Sequence, residues 1–396
     1  MKTTSSIFLC IVLSAALIPG ESPGATNPQQ MIISTKSITS KKGSASLKST
    51  DTIKEELLQT LRDFLKNSRP SRMVGSKGHD GAAKYIEETI KKFDPQAQEH
   101  LSAHTFTPDV AWSQELYQQD FIREIKDKYP TQDPTYQKWN RFTRGMIHTL
   151  EEAKTLSGKN IVWEKKGKSK PQEILILGAN YDTIAIDPQT LEVKPQVEMP
   201  GADDNGTGVS TLLELIHLLA KSDCERTVRI VFFDFEELGM LGSRAYGQKV
   251  ALELGGKKNI ESGQSKVFFV NVLMLGHDTV SEDKEKQEGN FKAYIRKMDE
   301  GGKKDEEWAK KIITWGDKAQ APIQFSIDPN GFNASSQINF WEQGIPALVL
   351  TQNWDSDYNM ERQHTSNDFM ETLNLKTFYA AYQFIAQATL SFARGE

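Results

Sequence analysis

The chain has 396 residues, of which 48 are Lys or Arg and 53 are Asp or Glu, so that its net charge is −5. This mildly acidic balance gives no reason to expect nucleic acid or an anionic membrane surface as a partner. The length is compatible with two domains, or with one large α/β domain that carries insertions.

The first 25 residues have the pattern of a secretory signal peptide. Lys2 precedes an apolar run from Ile7 to Ile18, and the helix breakers Pro19 and Gly20 follow it. A run of about a dozen apolar residues is too short to span a bilayer comfortably. We expect cleavage between residues 20 and 25, no integral membrane segment afterwards, and a periplasmic or secreted protein.

Residues 26–50 are rich in Ser, Thr and Lys, which predicts a flexible tether in front of a folded domain at 51–396. Apolar residues then recur at helical spacing from Ile53 to Leu65 and predict a first amphipathic helix. Further along, Cys224 would be the remaining thiol once a leader is removed, so no internal disulfide is expected. We interpret Cys224 as a small structural residue.

Four apolar runs have the length of strands, and their near-continuous hydrophobicity is typical of central strands covered on both faces. They are Ile174–Leu177, Val228–Phe233, Val267–Val272 and Ala347–Thr351. Apolar spacing predicts helices at 80–93, 208–221 and 375–392. The alternation predicts an α/β fold of three layers, helix-sheet-helix, with a mostly parallel mixed central sheet.

Two stretches have the composition of insertions. Residues 110–150 contain several aromatic side chains, enough to pack as a helical flap. Residues 281–311 are heavily charged, and we expect them to lie beyond a sheet edge. Surface elaboration and a role in substrate selection both stay open for these stretches.

Two acidic segments, Gly201–Gly208 and Phe233–Gly239, follow strand-like runs at points where strands give way to helices. Ligands bind at this carboxyl edge of open α/β sheets, and carboxylates crowded there are costly unless they share a cation. Asp204, Glu237 and the later His364 provide the three protein ligands that are usual for a catalytic zinc ion.

Glu236 is adjacent to the expected ligand Glu237, and its side chain should point elsewhere. We interpret Glu236 as the general base that takes a proton from a zinc-bound water and passes it to a leaving amine. Asp368 is expected to orient His364, and Asp182 is expected to support the ligands without binding the metal.

An ordered series of segments between Ser68 and the C-terminus resembles the zinc aminopeptidase family, which includes bacterial leucyl aminopeptidases, carboxypeptidase-like glutamate-releasing peptidases and glutaminyl cyclases. The segments are Ser68–Ser76, Gly178–Thr183, Gly201–Asn205, Phe235–Gly239, Gly344–Ala347 and His364–Thr365. The resemblance implies that Asp204 is the carboxylate that bridges two metals in dinuclear members. It also implies that Glu236 is the base and that Glu237 and His364 bind the first zinc.

The second metal site of the dinuclear relatives is degenerate in this chain. Asn180 stands where they have a His ligand, and Leu273 lies where they have an Asp ligand. Leucine cannot bind zinc, and a neutral amide binds it poorly. His277 and Asp278 follow the same strand, either as substitute ligands or as a surface loop. We therefore expect one zinc ion.

The first functional hypothesis is a single-zinc metallopeptidase that removes N-terminal residues from peptide substrates. An alternative is a glutaminyl-cyclase-like acyl transfer, in which the amine of the substrate attacks its own side-chain amide. Those enzymes work with one zinc but rely on acids at the positions of Leu273 and Ser336. A third hypothesis is a non-catalytic binding protein that keeps the fold, which the presence of Glu236 argues against. The side-chain preference and the oligomeric state do not follow from the sequence.

Overall fold

The structure is a computed structural model that describes residues 50–396 except 188–189, 191, 195, 263–265, 278–290, 333 and 356. The predicted signal peptide and all but the last residue of the tether lie outside the described residues. Within the part that is described, none of the helices combines the length and the apolar character needed to cross a membrane.

The α-helices and strands of the described part follow one another along the whole chain. The helices are α1 (Thr50–Asn67), α2 (Lys77–Phe93), α3 (Ala97–His100), α4 (Val110–Phe121), α5 (Pro134–Ala153), α6 (Gly208–Ala220), α7 (Leu241–Glu253), α8 (Lys257–Glu261), α9 (Gly302–Gly316), α10 (Gln337–Glu342) and α11 (Leu375–Ala393). The strands are β1 (Leu101–Phe106), β2 (Gly158–Lys165), β3 (Lys170–Asn180), β4 (Arg226–Phe233), β5 (Lys266–Val272), β6 (Phe291–Tyr294), β7 (Phe325–Asp328) and β8 (Ala347–Thr351).

The eight strands form one mixed sheet in the order β1-β2-β4-β3-β5-β8-β6-β7. Its centre, from β4 to β8, is parallel, whereas β1 and β2 add an antiparallel edge and β6 runs antiparallel to β8. The prediction of a mostly parallel mixed sheet is confirmed, and the four apolar runs are its four central parallel strands. Their carboxyl ends meet at one edge, which is where the acidic segments emerge.

Helices cover both faces of the sheet because alternate side chains of a strand point to opposite sides. On β3, Leu175 and Leu177 belong to the apolar cluster that includes residues of α1, α2, α6 and α11. Ile176, between them, belongs to the cluster that includes residues of α7 and α10. The sheet is therefore the middle of three layers, as predicted, and Cys224 is buried beside it.

The interpretation of 281–311 as lying beyond a sheet edge is wrong from residue 291 onward, and residues 281–290 lie outside the described residues. Phe291 and Tyr294 are buried in β6, which pairs with both β8 and β7. In α9, Lys310 and Lys311 face solvent while Ile312 is buried, and Trp308 contacts the ring of Phe392 in α11. The charge count reflected the solvent side of an amphipathic helix that packs on the core.

Gly178 in β3 provides a test of how tightly the centre of the sheet is packed. A Cβ atom at this position would lie 2.8 Å from Cε2 of Phe269 and closer still to Phe233, and both rings are fully buried. We expect Gly178→Ala to lower the free energy of unfolding by about 1–3 kcal/mol because the rings cannot move to solvent. Urea unfolding measures this, and an unchanged transition would contradict the packing described.

Candidate metal centre

A tight turn brings Asp204 to the carboxyl edge of the sheet, directly before α6. Gly201 begins the turn with φ +58°, a conformation that glycine adopts without steric cost. The backbone N–H groups of Asp203 and Asp204 donate to the two carboxylate oxygens of Asp368, at 2.9 Å to Oδ1 and 3.0 Å to Oδ2. The Asp204 carboxylate is thereby held in place through its own main chain.

A second turn, which follows β4, presents Glu236 and Glu237. Asp182, at the end of β3, accepts the backbone N–H of Glu236 at 3.1 Å and that of Glu237 at 3.0 Å. Burial raises the pKa of Asp182 well above its ordinary value, and the charges of Glu237 and Asp234 raise it further. Asp182 therefore supports the turn by binding the backbone N–H groups of Glu236 and Glu237, without contacting the carboxylate groups that the turn presents.

Side chains of the 110–150 segment form hydrogen bonds to the same turn from outside the sheet. The hydroxyl of Tyr117 in α4 donates to the carbonyl of Glu237 at 2.8 Å, and that of Ser113 donates to the carbonyl of Leu238 at 2.5 Å. Both side chains are fully buried. Phe235 and Leu238 also belong to an apolar cluster formed largely by α4 and α5.

His364 approaches both carboxylates with one ring nitrogen. Its Nε2 lies 3.1 Å from Oδ2 of Asp204 and 3.2 Å from Oε2 of Glu237. Burial lowers the pKa of His364, but the charge of Glu237 and the hydrogen bond to Asp204 outweigh burial and raise it well above its ordinary value. Burial likewise works against ionisation of Asp204, whose pKa is nevertheless lowered, chiefly by His364.

The donor set fits a zinc ion. Two carboxylate oxygens and an imidazole nitrogen are ligands that zinc prefers, and the three atoms lie within 4.8 Å of one another. Because Nε2 of His364 carries at most one proton, a hydrogen bond cannot satisfy Asp204 and Glu237 fully at the same time. A divalent cation between the three groups would.

A buried guanidinium stabilises the backbone beneath these ligands. Arg72, fully buried, donates to the carbonyls of Tyr181 at 2.8 Å, Pro200 at 2.5 Å and Gly201 at 3.0 Å. Burial lowers its pKa to about 10, although the charges of nearby carboxylates, chiefly that of Asp368, oppose the shift. Arg72 thus carries positive charge below the metal ligands while its donors fix the loop between β3 and α6.

Glu236 is held by hydroxyl groups. Its Oε2 accepts from Ser336 Oγ at 2.7 Å and from Ser243 Oγ at 3.4 Å, and Asn339 Nδ2 donates to Ser243 Oγ at 2.8 Å. Burial raises the pKa of Glu236 to about 8, the Ser336 hydrogen bond lowers it and the charge of Glu237 raises it. Its carboxylate is therefore fixed in position beside the candidate ligands.

A chamber of about 50 Å³ is lined by Asp204, Glu236, Glu237 and His364, so the structure brings these four sequence-predicted residues to one place. Its wall also includes the apolar side chains Met240, Leu273, Ala334 and Trp354. Asn180, Ser335 and Gln363 complete the lining.

The two altered positions of the second metal site lie in the same wall. Asn180 Oδ1 accepts from Asn205 Nδ2 at 2.9 Å, so its amide is engaged with protein. Leu273 packs in an apolar cluster that includes Trp354. His277 Nε2 lies 3.1 Å from Asp357 Oδ1 and does not line the chamber, while Asp278 is outside the described residues.

The expectation that Asp368 orients His364 is wrong. Asp368 receives the N–H groups of residues 203 and 204, and His364 Nδ1 is buried with no hydrogen-bond partner among the described residues. His364 has φ +55°, and after this turn of the chain Asp368 returns to the Asp204 turn.

Several supporting residues were not predicted from the sequence, and Asp203 is the most connected of them. Asp203 accepts from the backbone of Gly276 at 2.7 Å, from Gln352 at 2.6 Å and from Asn359 at 2.9 Å. It thereby anchors the loop that carries Trp354. The doubled Asp203-Asp204 was the available signal, since neighbouring side chains point in different directions. Gln363, which donates to Asp204 Oδ2 at 3.1 Å, was also missed.

Comparison with known proteins shows which family and which relatives this chain resembles. The model of peptidase family M28 matches residues 160–389. Leucine aminopeptidase 1 of Paracoccidioides brasiliensis is 24% identical over 277 residues, which are 68% of this chain and 60% of that protein. Leucine aminopeptidase 1 of Pyrenophora tritici-repentis is 26% identical over 211 residues, which are 52% of this chain and 48% of that protein. The chain thus spans about half to three fifths of these relatives' length.

Solved structures share the fold. The zinc aminopeptidase BSAP from Bacillus subtilis superimposes with a TM-score of 0.57 at 15% identity, covering 86% of this chain and 95% of that one. The glutaminyl cyclase of Porphyromonas gingivalis does so with a TM-score of 0.55 at 16% identity, covering 87% of this chain and 99% of that one. The eight-stranded α/β fold is therefore that of zinc aminopeptidases, as the resemblance implied.

The crowded acids predict how the stability of the metal-free protein depends on pH. Burial raises the pKa of both Glu236 and Asp368 to about 8, so the folded state retains protons that the unfolded chain releases above about pH 4. The raised pKa of His364 acts in the same direction, because the stability it contributes is lost as pH rises through its folded-state pKa.

We therefore expect the free energy of unfolding of the chelator-treated protein to fall between about pH 5 and pH 8. Urea unfolding across this range measures it, and zinc should flatten the profile by neutralising the acids. Stability that rises with pH in the metal-free protein would contradict the arrangement.

The contact of α4 with the Glu237 turn predicts a role for Tyr117. Tyr117→Phe removes the donor to the Glu237 carbonyl and should weaken zinc binding about tenfold, as loss of a group that orients a ligand commonly does. Competition with a chromophoric chelator measures the affinity. The ring of Tyr136 packs on Phe121 in the same segment. Tyr136→Phe is therefore the matched control and should bind zinc normally. Equal affinities in both variants would contradict the role.

Proposed function

Because this chain belongs to peptidase family M28, we propose that it is a metallopeptidase that removes N-terminal residues from peptides with a single zinc ion. The observation that carries the proposal is the convergence of Asp204, Glu237 and His364 on one point, with Glu236 in the same chamber. Asp204, Glu237 and His364 would hold the zinc.

Zinc in such a site polarises a carbonyl oxygen and lowers the pKa of water, which provides a nucleophile at neutral pH. The chain's own residues transfer the proton. The carboxylate of Glu236 accepts, at Oε1 or Oε2, the proton that the attacking water gives up and returns it to the leaving amine. Ser336 and Ser243 fix that carboxylate, so the proton acceptor does not have to be reoriented during the reaction.

The proposal includes one zinc and not two because of the residues at the second position. Asn180 is hydrogen-bonded to Asn205, and Leu273 presents an apolar side chain to the chamber. Neither provides an anionic or imidazole ligand. We also propose a periplasmic or secreted location, which rests on the signal-like pattern of residues 1–25.

Replacement of the base tests the proposal. Glu236→Gln should reduce hydrolysis of aminoacyl and peptide substrates by about 10²–10⁴-fold, since the amide cannot accept the proton. Zinc content should not change, because Glu236 is not a ligand. Glu342→Gln, at an exposed carboxylate that pairs with Arg244, is the control and should retain activity.

Three outcomes would overturn the proposal. Full hydrolytic activity in Glu236→Gln would show that another group is the base. Release of ammonia from N-terminal-glutamine peptides, with no peptide hydrolysis, would assign the chain to the glutaminyl-cyclase alternative. A zinc-free protein without either activity would favour the non-catalytic binding protein.

A further inference from the structure

A second set of metal-ligand side chains lies at the opposite end of α6 from Asp204. Glu56 comes from α1, and Glu214 and His217 come from the last two turns of α6. One ligand atom from each residue lies within 4.8 Å of the other two. Segments that are far apart in sequence thus bring two carboxylates and an imidazole together, outside the peptidase chamber.

Neighbouring groups fix the orientation of these side chains. Glu214 is buried, and its Oε1 accepts from Thr60 Oγ1 at 2.6 Å, so its Oε2 is directed toward His217 Nδ1 at 3.4 Å. The ring of Phe93 stacks on the imidazole with the centroids 4.4 Å apart. Hydrogen bonds and packing that orient ligands in this way are characteristic of metal sites in proteins.

The three residues line a cavity of about 440 Å³ that also contains Asp63, Glu88 and Lys92. Four carboxylates against one ammonium group give the wall an excess of negative charge. The same negative charge acts on the neighbouring side chain of Tyr85. Burial raises the pKa of Tyr85 to about 12, and the charges of Asp63 and Glu214 also raise it. The cavity has room for the water molecules that complete a coordination sphere.

The helix itself favours a cation at this place. Glu214 and His217 lie toward the C-terminal end of α6, where unpaired carbonyl groups give a partial negative charge. The ammonium group of Lys165 already binds at this end of the helix, since its Nζ donates to the carbonyls of Leu219 and Ala220 at 3.0 Å. The position of Lys165 shows that this end of α6 accommodates positive charge, and the proposed ion would lie about one turn before it.

Lys221 competes for the site. Its Nζ lies 2.5 Å from Nε2 of His217 and its side chain is exposed. Metal binding through Nδ1, the nitrogen on the side of Glu214, leaves the proton of the neutral imidazole on Nε2. The ammonium of Lys221 must then move into solvent, so binding should be weaker than it would be without this lysine.

We propose that Glu56, Glu214 and His217 bind a divalent transition-metal ion that links α1 to α6. A donor set of one imidazole and two carboxylates suits zinc or manganese, and zinc is the probe used below. This site is independent of the proposed peptidase function, since none of its residues lines the chamber at Asp204.

The test is the zinc stoichiometry of the full chain after removal of metal with a chelator, measured by isothermal titration calorimetry. We expect two equivalents for the parent, the weaker of which is lost in His217→Ala. His364→Ala should retain the weaker equivalent and lose the tighter one. Circular dichroism verifies that each variant is folded. If His217→Ala binds as many equivalents of zinc as the parent protein, the proposal is overturned. This holds whatever the number of zinc ions that the parent protein binds.

Two further variants make the result specific. Lys221→Gln should tighten the weaker equivalent because a competing cation is removed. His148→Ala should change nothing, since His148 is an exposed imidazole beside Glu152 on α5 and is in no group of three converging ligands among the described residues. In the His364→Ala background, zinc should raise the thermal unfolding midpoint only while His217 is present. A midpoint that does not respond there would also overturn the link between α1 and α6.

Discussion

Buried carboxylates crowd the carboxyl edge of the sheet, and their negative charge is the constraint on which the architecture around them depends. Each acid that is not aimed at the metal position is satisfied by donors that the fold delivers. Asp182 and Asp368 receive backbone N–H groups, and Asp203 receives a backbone N–H and two side-chain amides. Asp204 and Glu237 converge with His364, which leaves them suited to a shared cation.

These contacts explain why the supporting residues are spread over the whole chain. Asp182 and Asp368 receive main-chain donors from the two turns that present the candidate ligands Glu237 and Asp204. Asp182 fixes the Glu237 turn from β3, and Tyr117 fixes it from the 110–150 segment. The segment that composition identified as an insertion is therefore a structural support of the site. Its aromatic residues form the core against which the turn after β4 packs.

Much of the fold could be predicted because it depends on local patterns. The central strands are continuous apolar runs, and the acidic residues directly after β4 mark the edge where these strands meet. The sequence could not reveal contacts set by loops and distant packing. The expectation that Asp368 orients His364 failed because the left-handed backbone at His364 directs Asp368 to a different turn. The high charge content of residues 281–311 gave no indication of β6 and α9, because composition does not distinguish the two sides of a helix. Tyr117 had no local signal, since its role depends on tertiary contact.

The amide of Asn205 ties position 180 to the loops at the edge of the sheet. Its Nδ2 donates to Asn180 and to the carbonyl of Val272, and its Oδ1 accepts from the backbone of Gly208 and Met274. A histidine at 180 would therefore remove one member of a network that joins three loops at the edge of the sheet. Asn205 Nδ2 would then retain the carbonyl of Val272 as its acceptor, while its contact with β3 would be lost. A substitution at position 180 would therefore alter the stability of the sheet edge as well as the lining of the chamber.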